Sequence, residues 1–184
     1  PGELDATLVT EREKVVSIMA EGLKKKLLEL YGTRKVQAAI AIGGMTGTYL
    51  SLMAMNALPF GVPKLMVSSV VAMPAYASWL AENVWLRDIT VMNTVVDTVG
   101  MNRVVNLLAL NGANAIAGMV ETSKNPPLRE RRTTLVVTEF AFCDAGAQYV
   151  REILEEDYEV VSFHAQGLGD RAAVYALDQG LFDG

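Results

Sequence analysis

The sequence predicts an α/β fold, with Rossmann-like, mainly parallel sheets and flanking helices arranged in two lobes. Three observations carry this. Short apolar runs, "VQAAIAI", "KLMVSSVV" and "ITVMNTVV", alternate with stretches of helical periodicity. The same rhythm restarts after "SKNPPLRERR", as strand "TTLVVTEF", helix 145–155, strand "YEVVSFHA" and helix 171–179. Charge is also uneven: residues 36–120 hold only six charged side chains, Lys64, Glu82, Arg87, Asp88, Asp97 and Arg103, which predicts a largely buried middle.

In chain order, Thr10 and Glu13 form a capping box for a first helix, on which Val15, Ile18, Met19, Leu23, Leu27 and Leu30 recur at helical spacing until Gly32 ends it. "VQAAIAI" follows as a central strand, because continuous apolar runs belong to strands covered on both faces. Residues 46–57 read as a helix that is apolar nearly all round. "KLMVSSVV" is the second strand, begun after Pro63, and "ITVMNTVV" the third. The stretch 73–87 between them stays ambiguous, with Trp79 and Trp85 demanding cover. A helix over 101–121 has no charge between Val104 and Val120, so it is central or sits in a subunit interface. Residues 123–132 form a linker, since Pro126 and Pro127 bar both helix and sheet. The lobes are thus 1–122 and 133–184, and a further strand is expected after "LFDG", as in a piece excised from a longer protein.

Composition narrows the function. With 51% hydrophobic and 20% charged residues among 184, the chain is globular and not disordered. A net charge of −5 provides no global attraction to nucleic acid or to an anionic membrane, and "RERR" and "KKK" read as solvated surface. The uncharged run 36–63 is long enough to cross a bilayer, but Gly43, Gly44, Gly47, Asn56, Pro59 and Pro63 interrupt it, so no membrane partner is expected. The single cysteine, Cys143, excludes an internal disulfide and fits a cytoplasmic protein.

In open parallel sheets, ligands sit beyond the carboxyl ends of the strands. "GGMTGT" at 43–48 occupies such a place. Gly43, Gly44 and Gly47 would let backbone N–H groups approach an anion, with Thr46 or Thr48 adding a hydroxyl; the alternative is a tight strand-to-helix turn. The loop lacks the Lys of a Walker loop and the G-x-G-x-x-G spacing. "SFHAQGLGDR" repeats the arrangement in the second lobe: His164 ends a strand, Gly167 and Gly169 turn, Asp170 caps the next helix and Arg171 reaches an anion. Cys143, followed by Asp144 at a helix start, forms with His164 a candidate nucleophile pair; the alternative is a buried, inert thiol. Asp88 and Asp97 are candidates for ribose or metal binding, or for ion pairing such as Asp97 with Arg103. No metal cluster of recognisable spacing is present.

Taken in order, "AIGGMTGTYLSLMAMNALPFGVPKLMVSS", "DITVMNTVVDTVGMNRV", "NGANAIAGMV", "FHAQGLGDRA" and "ALDQGL" resemble segments of the Tm-one-like ATP-binding family, the tomato mosaic virus resistance protein-like proteins. The resemblance covers nearly all the chain from Val36. It implies two α/β lobes, each incomplete here relative to the family, whose remainder would be a partner. In the plant member it implies ATP binding and inhibition of viral replication; most microbial members have no assigned reaction. It implies ATP with Mg²⁺ as ligand, held by Gly43, Gly44, Thr46, Gly47 and Thr48, with Asp88, Thr90, Asn102 and His164 near the cleft. Family loops commonly read Gly-Gly-Ser-Gly-Gly-Thr, where Met45 and Thr46 stand here. The leading expectation is a nucleotide-binding or phosphorylated-ligand-binding domain of unassigned reaction, its ligand between 43–48 and 164–169. The rivals are a Cys143/His164 enzyme acting on a small acid or thioester, and a homo-oligomeric structural subunit that buries its charge-poor helix and tryptophans against a twin.

Overall fold

The computed structural model describes residues 12–123 and 132–184. Most of the expected linker, and Thr10 of the expected capping box, lie outside the described residues. The chain divides into two compact units, one drawn from residues 1–84 and 88–126, the other from 85–87 and 127–184.

In the first unit, α1 (Arg12–Gly32) leads to β1 (Ala39–Gly43), α2 (Met45–Met55), β2 (Lys64–Ser68), α3 (Ala77–Leu80), β3 (Thr90–Asn93) and α4 (Arg103–Ser123). All three strands are parallel, in the order β1-β2-β3, with Ala39 opposite Lys64 and Leu65 opposite Thr90. β2, not β1, is therefore the central strand. Its five residues are all buried, as a strand covered on both faces must be. β1 alternates instead: Ala39 and Ala41 pack against one core, while Ile40 and Ile42 point to the opposite face and stay 40% and 47% exposed. Continuous apolarity was a true sign of burial in β2. In β1 it marks two chemically similar faces with unequal cover.

The core on one face joins Leu52 and Met55 of α2, Met66 of β2, Leu80 and Val84 of the following helical segment, and Ile89. The ambiguous stretch 73–87 forms three short helical turns, Pro74–Tyr76, Ala77–Leu80 and the wider turn Ala81–Trp85. Trp79 stacks on Tyr49 with ring centroids 5.5 Å apart, whereas Trp85 is 55% exposed and so does not find the cover its apolarity requested. On the other face lies α4. A Cβ on Gly112 would stand 3.2 Å from Val67 and 3.3 Å from Ile40, so a small residue lets this helix lie close on the sheet.

The expectation of a largely buried middle fails at α4. Leu107 and Leu110 are each 57% exposed, because β1 and β2 touch one side of the helix only. By length and composition α4 could also cross a bilayer, with 6% of its apolar stretch buried. α1 behaves similarly. It packs on α2 and buries Ala20, but Ile18, Met19 and Leu23 of the expected inward stripe are exposed.

The second unit contains β4 (Thr134–Glu139), α5 (Asp144–Leu154), β5 (Glu159–His164) and α6 (Leu168–Asp178). β4 and β5 are parallel, with Glu139 opposite His164. Arg132 donates to the carbonyls of Glu155 and Glu156, closing the carboxyl end of α5 with a cation. The Arg151 guanidinium binds Glu139 and reaches Ser162, tying α5 to both strands. On the far side of β4, Asp183 N–H donates to Thr134 O at 2.9 Å and Val136 N–H to Gly184 O at 2.7 Å, so residues 183–184 begin a third line of pairing.

Lys64 opens β2 from a fully buried position. Its ammonium donates to Pro59 O at 2.8 Å, Val62 O at 2.9 Å and the Asp88 carboxylate at 3.0 Å. Burial pushes its pKa below 10.5, and Asp88 opposes that shift by hydrogen bond and charge. Replacing Asp88 by Asn leaves a buried cation without its counter-ion, and a loss of about 3 kcal/mol in denaturant melts is expected. The loss should shrink as pH rises toward 10.5. In that window the desolvated folded amine gives up its proton while the unfolded lysine keeps it, so stability climbs with pH. A pH-independent loss would count against this account.

Candidate functional site

Parallel register sets Gly43, Ser68 and Asn93 level at the carboxyl edge of the first sheet. From Gly43 the chain passes through extended Gly44 (φ −86°, ψ −155°) directly into α2, and Gly44, at the N-cap, makes no side-chain hydrogen bond to that helix. Thr48, in its first turn, is fully buried. Its hydroxyl lies 2.8 Å from Gly44 O and 2.6 Å from the Ser68 hydroxyl, which accepts from Val70 N–H at 3.0 Å. One proton arrangement satisfies every member: Val70 N–H donates to Ser68, Ser68 to Thr48, and Thr48 to Gly44 O. Thr48 therefore positions the turn and does not offer its hydroxyl outward.

Thr46 and Met45 are exposed. Met45 leans on Tyr76, whose hydroxyl is 2.8 Å from its sulfur. The glycines differ from one another in an informative way. A Cβ on Gly43 would meet Gly47 Cα at 3.4 Å, an ordinary contact, and a Cβ on Gly44 or Gly47 would meet nothing within 4 Å. Neither Gly44 nor Gly47 has positive φ. The unit's own packing thus gives no reason for glycine at 44 or 47.

The neighbouring loops complete this edge. Ser69 donates to Asp97 at 3.1 Å, joining the loop after β2 to the loop after β3; among the described residues Asp97 forms no ion pair with Arg103. Thr94 donates to Val96 O, and Asn93 Oδ1 accepts from Val95 N–H, whose residue has φ +63°. Asn102 caps α4, its Oδ1 accepting from Val104 and Val105 N–H at 3.0 Å each. Two candidates lie elsewhere. Asp88 precedes β3 and binds Lys64 and Gly61 N–H, and Thr90 opens β3, so both stand at the amino edge, away from the 43–48 turn. Reading position along the chain alone does not separate the two ends of a strand only four residues long.

In the second unit His164 ends β5, exposed, with its ring 5.7 Å from that of Phe140. Gly167 takes φ +70°, and its N–H donates to the Asp170 carboxylate at 2.9 Å, which caps α6 as expected. A Cβ on Gly169 would lie 1.7 Å from His164 O. Here the glycines are demanded by backbone approach and by left-handed geometry. Cys143 is exposed, not buried; it closes the turn Ala141–Cys143 ahead of α5, because β4 stops earlier, at Glu139. Among the described residues Cys143 and His164 share no hydrogen bond, and no three His, Cys, Asp or Glu gather as a metal site. Ser68, Ser69 and Thr94 were missed from sequence. Their signal was hydroxyls clustered at the ends of otherwise apolar strands.

Gly169→Ala is expected to destabilise the second unit by about 3 kcal/mol or more, measured by denaturant melts of wild type and variant. Ser68→Ala, which strands Val70 N–H in a buried place, should cost about 1–3 kcal/mol. Combined with Thr48→Val it should cost clearly less than the two single losses together; strict additivity would show that the hydroxyls do not act as one chain.

The N-terminal domain of the uncharacterised protein family UPF0261 matches residues 2–125, and its C-terminal domain matches residues 132–184. The ToMV susceptible protein tm-1 of Solanum lycopersicum is 32% identical over 179 residues, covering 94% of this chain and 23% of that protein. A UPF0261 protein of Clostridium tetani is 32% identical over 175 residues, covering 95% and 42%. The ToMV resistance protein Tm-1 of Solanum lycopersicum is 31% identical over 188 residues, covering 99% and 24%. The chain thus spans less than half the length of these relatives. With both domains matched in order over the two units of its fold, the chain belongs to the UPF0261 family.

Proposed function

We propose that the 43–48 turn holds the phosphate of a small ligand, nucleotide-like in the form that the Tm-one-like resemblance suggests. The observation that carries this reading is the pair of glycines the fold does not need. Gly47 lies in the first turn of a helix, where glycine costs about 1 kcal/mol relative to alanine. Neither steric conflict nor positive φ explains Gly44 or Gly47, whereas close approach of a ligand to the backbone does. The uncapped N-terminus of α2 supplies N–H donors and the positive end of its dipole. The exposed Thr46 hydroxyl stands beside it.

Charge limits the ligand. The loops 43–48, 69–76 and 94–102 contain one charged residue, Asp97, and no Lys or Arg. These residues suit one phosphate group cradled by backbone N–H groups. The rest of a triphosphate's charge would rest on bound Mg²⁺, for which Asp97 is the carboxylate at this edge.

Calorimetric titration tests the proposal with ATP, with and without Mg²⁺, and with inorganic phosphate as competitor. Saturable binding, displaced by phosphate, is expected. Gly47→Glu, whose Cβ would meet nothing within 4 Å, should weaken binding by roughly tenfold or more, about 1.4 kcal/mol, with the melting temperature measured alongside to show that the fold is intact. Heat-silent titrations at millimolar ATP would remove the nucleotide, and unchanged affinity in Gly47→Glu would remove the turn.

A further inference from the structure

We propose that the first unit carries a second ligand site, for a small aromatic anion, at the amino edge of its sheet. The site is a cavity of about 660 Å³ between the carboxyl end of α1 and the 59–63 loop. It lies at the opposite end of the strands from the 43–48 turn. Tyr31, Arg34, Gln37 and Phe60 line it, together with Gly61 and Pro63.

Three features distinguish it from an ordinary surface hollow. Its walls are held from behind. Lys64, buried, clamps the carbonyls of Pro59 and Val62, Asp88 accepts from Gly61 N–H at 2.7 Å, and Gly61 takes φ +83°. On the other side Thr33 Oγ1 donates to Glu29 O, Arg34 N–H to Tyr31 O and Lys35 N–H to Leu30 O, which fixes the end of α1. Sites that bind small molecules are usually preformed in this way, and the volume lies within their customary range of about 300–1,000 Å³.

The second feature is Arg34, which has φ +57° where Gly or Asn would sit with less strain. Among the described residues its guanidinium forms neither hydrogen bond nor ion pair, although it lines a cavity that holds no carboxylate. The third is Phe60, 57% exposed across a cavity that Tyr31 also lines. Two rings offer aromatic faces, a planar fork of donors suits a carboxylate, sulfonate or phosphate, and the Gln37 carboxamide can accept from a ring substituent. A ligand with a flat aromatic body and one anionic group uses all of these at once.

The test is calorimetric titration of naphthalene-2-sulfonate into the chain, with neutral 2-naphthalenemethanol alongside. One-to-one saturable binding of the sulfonate is expected, with the alcohol weaker. Arg34→Gly removes the guanidinium while relieving the left-handed strain, so the melting temperature should hold or rise while the sulfonate binds roughly tenfold more weakly or worse. Phe60→Ala should weaken both ligands. No saturation at millimolar sulfonate overturns the proposal, as does full affinity in Arg34→Gly. Tighter binding of an acidic, aromatic peptide than of the sulfonate would also overturn it, by transferring the cavity to a protein partner.

Discussion

A strand buried over its whole length has to satisfy its polar groups from inside the protein, and β2 is such a strand. At its amino end the difficulty is a full charge, met by two carbonyls and Asp88 around Lys64. At its carboxyl end it is a hydroxyl, met by the chain from Val70 through Ser68 and Thr48 to Gly44 O. Each solution organises the loops beyond it. The amino-end clamp shapes the 59–63 loop and so one wall of the cavity at Arg34. The carboxyl-end chain ties the start of α2 to the end of β2 and so fixes the 43–48 turn.

The two glycine turns show why similar sequences need not share a purpose. At 167–169 the backbone itself requires glycine, by positive φ at one position and near-collision at the other. At 44 and 47 it does not. "GGMTGT" and "QGLGD" look alike as strings, and only the placement of neighbouring atoms separates a turn that closes on itself from one that leaves its backbone open. On the proposed reading, an anion at the open turn meets backbone dipoles instead of cations, which favours a ligand of low charge density over a bare polyphosphate.

The α/β class and the strand-helix alternation were legible because they rest on local periodicity. The end of α1 at Gly32, the ends of β1 and β5 at Gly43 and His164, and the Asp170 cap are all written in single residues with strong local preferences. What was not legible depends on neighbours far along the chain. Whether β1 or β2 is central turns on pairing, which apolarity does not encode when both runs are equally hydrophobic. The exposure of Leu107, Leu110 and Trp85 depends on what else lies against them. The placement of Asp88 at the amino edge follows from Lys64, twenty-four residues away, whose own burial defied its charge.

The pairing of residues 183–184 with β4 bears on the order in which the second unit assembles. Thr134 N–H donates to the Asp183 carboxylate, and Thr134 O accepts from Asp183 N–H, contacts that span 49 positions of chain. Closing so long a loop costs entropy before any contact rewards it, so such pairing forms late and slowly. On a ribosome the β4–α5–β5 segment emerges first, with one edge of β4 open until residues 183–184 arrive. The interval in which that edge stays unpaired, and is able to meet the edge of another nascent chain, is set by the rate of synthesis more than by the stability of the finished unit.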